Sequence, residues 1–247
     1  MWPELSNSSQ DIQINGALNN LTLKASSQGS LVFSSQSHID LTHSELPFNL
    51  TLLAEKLPLP MSVTQYGTPS SLTLAVDGNI AQQNVKLSSS INSYGYQNAQ
   101  LQLIANHQQG ALNITELTLN EAASDSHLQV NGTIDIQSSG AQWHIFAQSS
   151  GLTLPKIDLT NLLPNDLPPA ITLPQSLSGR LQGKIASKGH FSKDHWALAL
   201  HKTQVTGSIN KTPVLINGDI AINQSGYLSS GSAPQGKLFA ELGKNKL

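Results

Sequence analysis

The sequence predicts an all-β protein, a large antiparallel or mixed sheet without long helices. Three observations carry that expectation. Apolar residues alternate with polar ones over runs of about four to eight residues, the period of a half-buried strand. Gly, Asn-Gly and Asp-Gly punctuate the runs at turn or bulge positions. An apolar-x-apolar-(Asn/Asp)-Gly-x-apolar phrase recurs around Gly16, Gly78, Gly132 and Gly218. Its spacings of 62, 54 and 86 residues do not form a fixed-period solenoid, so the phrase marks a recurring hairpin with variable connections.

Taken in order, Ile12, Ile14, Leu18, Leu21 and Leu23 alternate across Asn15-Gly16 and Asn19-Asn20. Residues 30–40 read as the next strand, with Leu31 and Phe33, and residues 46–53 as another that Pro47 interrupts early. Pro58, Pro60 and Pro69 bound an irregular connection, because proline removes a ladder donor. Residues 71–87 are regular, with Leu72, Leu74, Val76, Ile80, Val85 and Leu87. Residues 91–104 and 112–119 repeat the pattern, and Leu128, Val130, Ile134 and Ile136 reproduce the opening phrase around Asn131-Gly132. Trp143 and Ile145 make a further strand. The clearest phrases run from Leu177 through Trp196, Leu198 and Leu200 to Val214–Ile222. Residues 152–174 are the exception. Leu154, Ile157, Leu159, Leu162 and Leu163 are partly helical in spacing, and Asp158 or Thr160 suits a cap, so a short helix is expected near 156–163 before Pro164. The chain thus divides into a sheet segment over 1–150, a Pro-rich connection over 151–176 and a second sheet segment over 177–247.

Composition narrows the function. Only 11% of residues are charged, with Ser, Thr, Asn and Gln in place of Lys and Glu, which suits a β-rich protein outside the cytosol. Thirteen basic against fifteen acidic residues argue against a nucleic-acid partner. The charge is uneven: residues 1–150 hold three lysines and ten acidic residues, residues 151–247 ten basic and five acidic. No cysteine is present, so disulfides and cysteine-ligated metals are excluded. No stretch is apolar enough to span a membrane, no signal peptide is visible, and both ends read as cut from a longer protein.

Candidate chemistry is sparse. His190, Asp194 and His195 are the nearest approach to a cluster, placed at a turn without a third convergent ligand. Gly179-x-x-x-Gly183 lacks the Lys-Ser/Thr of a phosphate loop and lies among strands. No serine sits in a Gly-x-Ser-x-Gly elbow. No catalytic residue, metal site or cofactor is therefore assigned.

The feature that needs a purpose is the alternation itself. One account is a closed β-sandwich or β-helix, a structural or adhesin module whose apolar faces bury each other. The other is a curled sheet whose apolar face lines a groove for acyl chains, since few aromatics are available to plug it. The groove would be lined by Leu72, Leu74, Val76, Leu128, Val130, Ile134, Leu181, Ile185, Leu198, Leu200, Val214 and Ile216. A glycan-binding module is a weaker third option, because no Trp cluster appears.

The run from Leu177-Ser-Gly-Arg-Leu-Gln-Gly-Lys-Ile185 through Trp196-Ala-Leu-Ala-Leu200 and Val205-Thr-Gly-Ser-Ile209 to Pro213-Val-Leu-Ile-Asn-Gly-Asp-Ile220 resembles the TamB (translocation and assembly module) family of Gram-negative bacteria, within the AsmA-like group. Leu154-Pro-Lys-Ile-Asp-Leu-Thr-Asn-Leu-Leu-Pro164 is similar to the linker before such a block, and Leu242-Gly-Lys-Asn-Lys-Leu247 to a phrase that runs on into another strand. The resemblance is concentrated in residues 150–247. It implies an elongated β-taco with a hydrophobic interior, on a periplasmic segment of a protein anchored in the inner membrane by an N-terminal helix outside this sequence. It implies a TamA-like Omp85-family partner met through a C-terminal part also outside it. The implied cargo is phospholipid acyl chains or unfolded outer-membrane β-strands, for lipid movement between the membranes or autotransporter assembly. The isolated segment is expected to hold no stable partner of its own, and the resemblance brings no active site.

Overall fold

Alternating sequences with Gly-containing turns form hairpins, and each hairpin here pairs with the next. The computed structural model describes residues 8–56, 68–93, 96–158, 176–193, 195–223, 239–242 and 245–246. They form β1 (Ser8–Ala17), β2 (Asn20–Gly29), β3 (Val32–Ile39), β4 (Phe48–Lys56), β5 (Thr68–Gly78), β6 (Gln82–Ser93), β7 (Tyr96–Gln108) and β8 (Ala111–Glu121). The chain continues through β9 (Ser126–Gln137), β10 (Gly140–Asp158), β11 (Ser176–Ser192), β12 (Trp196–Ile209), β13 (Thr212–Asn223), β14 (Phe239–Leu242) and β15 (Asn245–Lys246). All fifteen strands belong to one sheet in sequential order, and every ladder is antiparallel. No helix occurs among the described residues. Hydrogen bonding is continuous through position 151, because β10 crosses it and pairs with β11 over most of its length.

The sheet is open. Its order begins at β1 and ends at β15, and the two do not pair. A closed sandwich would bury many large aliphatic side chains between two layers. Among the described residues the buried apolar ones are only Ala54, Ala99, Ala105, Ile114 and Val214. The whole chain exposes 16045 Å², against roughly 10,600 Å² for a compact monomer of 26.3 kDa. The closed sandwich or β-helix is thereby overturned: among the described residues the strands form one open antiparallel sheet, and its apolar face has no second layer to meet.

Bulges shape the sheet. The ladders from β7–β8 to β12–β13 each carry a register shift, at Ile104/Ala105, Ile114/Leu117, Gln148/Gly151, Ser149/Leu152, Lys184/Ala186 and Leu200/Thr203. A bulge bends its strand and increases local twist, so a row of them curls the sheet. The short helix expected near 156–163 is corrected at its start. Residues 156–158 belong to β10, where Ile157 pairs with Leu177 and Asp158 with Ser176. Pro155 falls in the irregularity between Leu154 and Ile157, where its missing donor breaks no ladder bond. Residues 159–163 lie outside the described residues.

Candidate functional site

Antiparallel partners point to the same side of a sheet, so the register can be followed from strand to strand. Leu74 pairs with Leu52 and Leu87, Leu87 with Leu103, and Leu103 with Leu117. Leu117 pairs with Val130, Val130 with Ala147, and Ala147 with Ile185. Beyond the bulge, Ser187 pairs with Leu200 and Gly183 with Val205, which in turn pairs with Ile216. All twelve sequence-predicted groove residues therefore share one face. Val214 on it is buried and the other eleven are half-buried. The same face carries Leu23 and Ala25 on β2, Phe33 on β3, Leu50, Leu52 and Ala54 on β4, and Leu101 on β7. Those residues obey the alternation that singled out the twelve, so the same signal could have found them.

The other face is polar and open. Lys24, Thr51, Thr73, Lys86, Gln102, Gln182 and Gln204 are exposed there, together with Leu53 and Ile104. Among the described residues no second layer covers either face, yet the apolar side chains are the more shielded. That asymmetry is what a sheet curled toward its apolar side produces, since side chains crowd on a concave surface.

At one end the apolar face meets a polar network that the sequence did not announce. Glu121 continues the row of Leu117 and Leu119 but is a carboxylate only 5% exposed. The Gln97 backbone N–H donates to its Oε1 at 2.8 Å, and the Ser124 hydroxyl donates to Oε2. Ser124 and Ser126 hydroxyls are 2.6 Å apart, and Thr153 N–H donates to Ser126 Oγ at 2.9 Å. The Tyr96 hydroxyl reaches from β7 to the carbonyl of Thr153 on β10. From the polar face, Arg180 Nη1 donates to Ser124 O at 2.6 Å and Nη2 to Asp125 O at 3.0 Å. A Cβ on Gly151 would sit 2.4 Å from Arg180 Nη2, so a glycine lets the guanidinium cross β10. The Arg180–Asp125 ion pair at 3.2 Å is solvent-exposed and adds little. The carbonyl bonds are what tie the β8–β9 turn to β11.

The hydroxyl of Ser124, then the Gln97 N–H, hold the Glu121 carboxyl below its ordinary pKa. Burial, and secondarily the Glu121 charge, push the Tyr96 phenol up. A depressed carboxylate stabilises the fold above its unfolded pKa, and that stability is lost as pH falls through the folded value. Glu121→Gln should therefore cost about 1–2 kcal/mol at neutral pH. The difference from the parent should shrink as pH drops below about 4, read as melting temperature against pH for both proteins.

The histidines do not converge on a site. His190 lies exposed on β11, and His195 is exposed in the following turn, where its carbonyl accepts from Ser192 N–H at 2.7 Å. Asp194 lies outside the described residues. No group of three potential metal ligands forms among the described residues. A recess of about 480 Å³ on the polar face over β1–β5 offers solvated groups such as Asp11, Gln13, Lys24 and Gln36. A smaller recess, about 150 Å³, lies on the apolar face and is lined by Leu128, Ala147, Leu152, Leu181, Ile185 and Val205, among others.

The family model described as "TamB, N-terminal domain" matches residues 1–247. The chain belongs to the TamB family. The match extends the likeness seen in residues 150–247 to the whole sequence. Neither a curated protein nor a solved structure matches the chain. Among the described residues no helix is long and apolar enough to cross a membrane. An open, curled, all-antiparallel sheet is consistent with the β-taco of this AsmA-like family of the Gram-negative envelope. The TamB-type domain is a non-enzymatic periplasmic scaffold, and its open sheet, with an apolar face that no second layer covers among the described residues, supports a shielding role.

Proposed function

We propose that this TamB-type domain is a conduit segment that carries phospholipid acyl chains along its apolar face between the inner and outer membranes. It stands in the periplasm as part of an inner-membrane-anchored protein whose other regions meet a TamA-like Omp85-family component. The observation that carries the reading is the apolar face itself, continuous from β1 to β13 and covered by no second layer among the described residues. The backbone N–H and C=O groups of the central strands are already spent on the flanking ladders. A peptide laid on the face would find no partners for its own amides, and each unpaired group is costly. An acyl chain has none to satisfy and gains roughly 0.8 kcal/mol per desolvated CH₂.

A second reading, shielding of outer-membrane β-strands during their assembly, is supported at a different place. Among the described strands β1 stands at the edge of the sheet with no partner on its outer side, and its apolar-face residues Ile12 and Ile14 are 63% and 60% exposed. A client strand would add there by main-chain pairing. Solvent extraction of the purified 247-residue chain, followed by mass spectrometry, separates the two. The first reading expects co-purified phospholipid at about one molecule per chain or more. Bound peptide without lipid favours the second, and an empty chain contradicts both.

A further inference from the structure

We infer that the 150 Å³ recess between β9 and β12 is a discrete holding site for one acyl chain, a place where a lipid moving along the apolar face pauses. The inference rests on the acyl-chain reading above and adds a location to it. Four successive ladders place their irregularities beside this recess: Gln148/Gly151, Ser149/Leu152, Lys184/Ala186 and Leu200/Thr203. They mark two bulges, one on β10 between Gln148 and Leu152 and one on β12 between Leu200 and Gln204, and the two bend strands on either side of β11, denting the sheet where a regular one would be smooth.

Gly183 belongs to the lining. It has φ +139°, and an added Cβ would lie 1.9 Å from the carbonyl oxygen of Gln204. It offers only backbone to the recess, beside the side chains of Leu128, Leu152, Leu181, Ile185 and Val205. By parity, the one charged residue of the lining, Lys184, points to the opposite face from Gly183 and Ile185 and is exposed there. Ser149, the hydroxyl-bearing residue of the lining, spends its Oγ on donating to His127 O at 2.6 Å and accepting from Gly151 N–H at 3.1 Å.

These facts select the occupant. A charged or hydrogen-bonding group would be stranded in the recess. A protein partner needs about 1,000 Å² of interface or more, beyond what a recess of 150 Å³ supplies. The end of a hydrocarbon chain fits on both counts. Each methylene desolvated there, beyond what the open face covers, multiplies occupancy roughly fourfold.

The test uses the 247-residue chain with vesicles of phosphatidylethanolamine and phosphatidylglycerol, doped with a phospholipid bearing a diazirine at one acyl terminus. Adducts are mapped by peptide mass spectrometry. Adducts on Leu128, Leu152, Leu181, Ile185 and Val205 should exceed those on the apolar face of β4–β6 by roughly fourfold or more. Ala147→Phe, which fills the recess, should erase that excess and leave β4–β6 labelling unchanged. Ala147→Leu is the milder variant should the first fail to fold. Even labelling along the apolar face overturns the holding site and leaves the acyl-chain reading standing. Absence of labelling on the whole face overturns both.

Discussion

Gly183→Val is expected to destabilise the domain by about 3 kcal/mol or more. Two costs add. Gly183 sits at φ +139°, a conformation that is nearly glycine-only and strains an L side chain by about 1–3 kcal/mol. Its new Cβ would also fall 1.9 Å from Gln204 O and 2.9 Å from Val205 Cα, both backbone atoms that cannot swing aside. Relief would require parting β11 from β12, which breaks ladder bonds around the pair Gly183–Val205. For a chain of this size a loss of that order lowers Tm by roughly 6–12 °C. Hydrogen exchange should place the damage in β11 and β12, because a sheet of sequential hairpins transmits strain mainly to its neighbours. Gln182→Val, one residue away and exposed, is the control: valine favours strands, and the change should stay within about 0.5 kcal/mol. An unchanged Tm for Gly183→Val would mean that β11 does not take this kinked path.

Much of the fold was legible because its information is local. Period-2 alternation at Leu72-x-Leu74-x-Val76 fixes which side chains share a face, and the turns at Asn79–Ala81 and Gln109–Gly110 close hairpins between neighbours in sequence. Whether the sheet closes on itself is a non-local matter, which left the sandwich open as an alternative until the strand order decided it. The helix expected near 156–163 shows a subtler difficulty. A bulge inserts a residue into a strand, so apolar positions on either side become three apart instead of two. Leu154 and Ile157 flank such a bulge, as do Ile114 and Leu117, and the spacing then imitates a helical turn. The polar end-network escaped for a different reason. Arg180 meets Ser124 across 56 residues, and Tyr96 meets Thr153 across 57. Nothing around Glu121 in the sequence signals that its carboxylate closes the row of Leu117 and Leu119.

The prediction with the sharpest contrast concerns which face touches lipid. Leu72, Leu74 and Val76 point to the apolar face, and Thr73 and Ala75 between them to the other. On β12, Leu198 and Leu200 share the apolar face, while Ala197 and Ala199 do not. Adjacent positions are thus nearly identical in depth along the strand and differ only in side. Burying a leucine-sized side chain against an acyl chain is worth roughly 1.5–3 kcal/mol, a factor of ten or more in occupancy, and the polar face has no comparable gain. Photocrosslinking residues placed singly at 72–76 and at 197–200, in cells that make the protein, therefore measure the central claim directly. Phospholipid adducts at 72, 74, 76, 198 and 200, with little at 73, 75, 197 and 199, are the predicted result. Equal labelling on both parities, or none on either, would contradict the account.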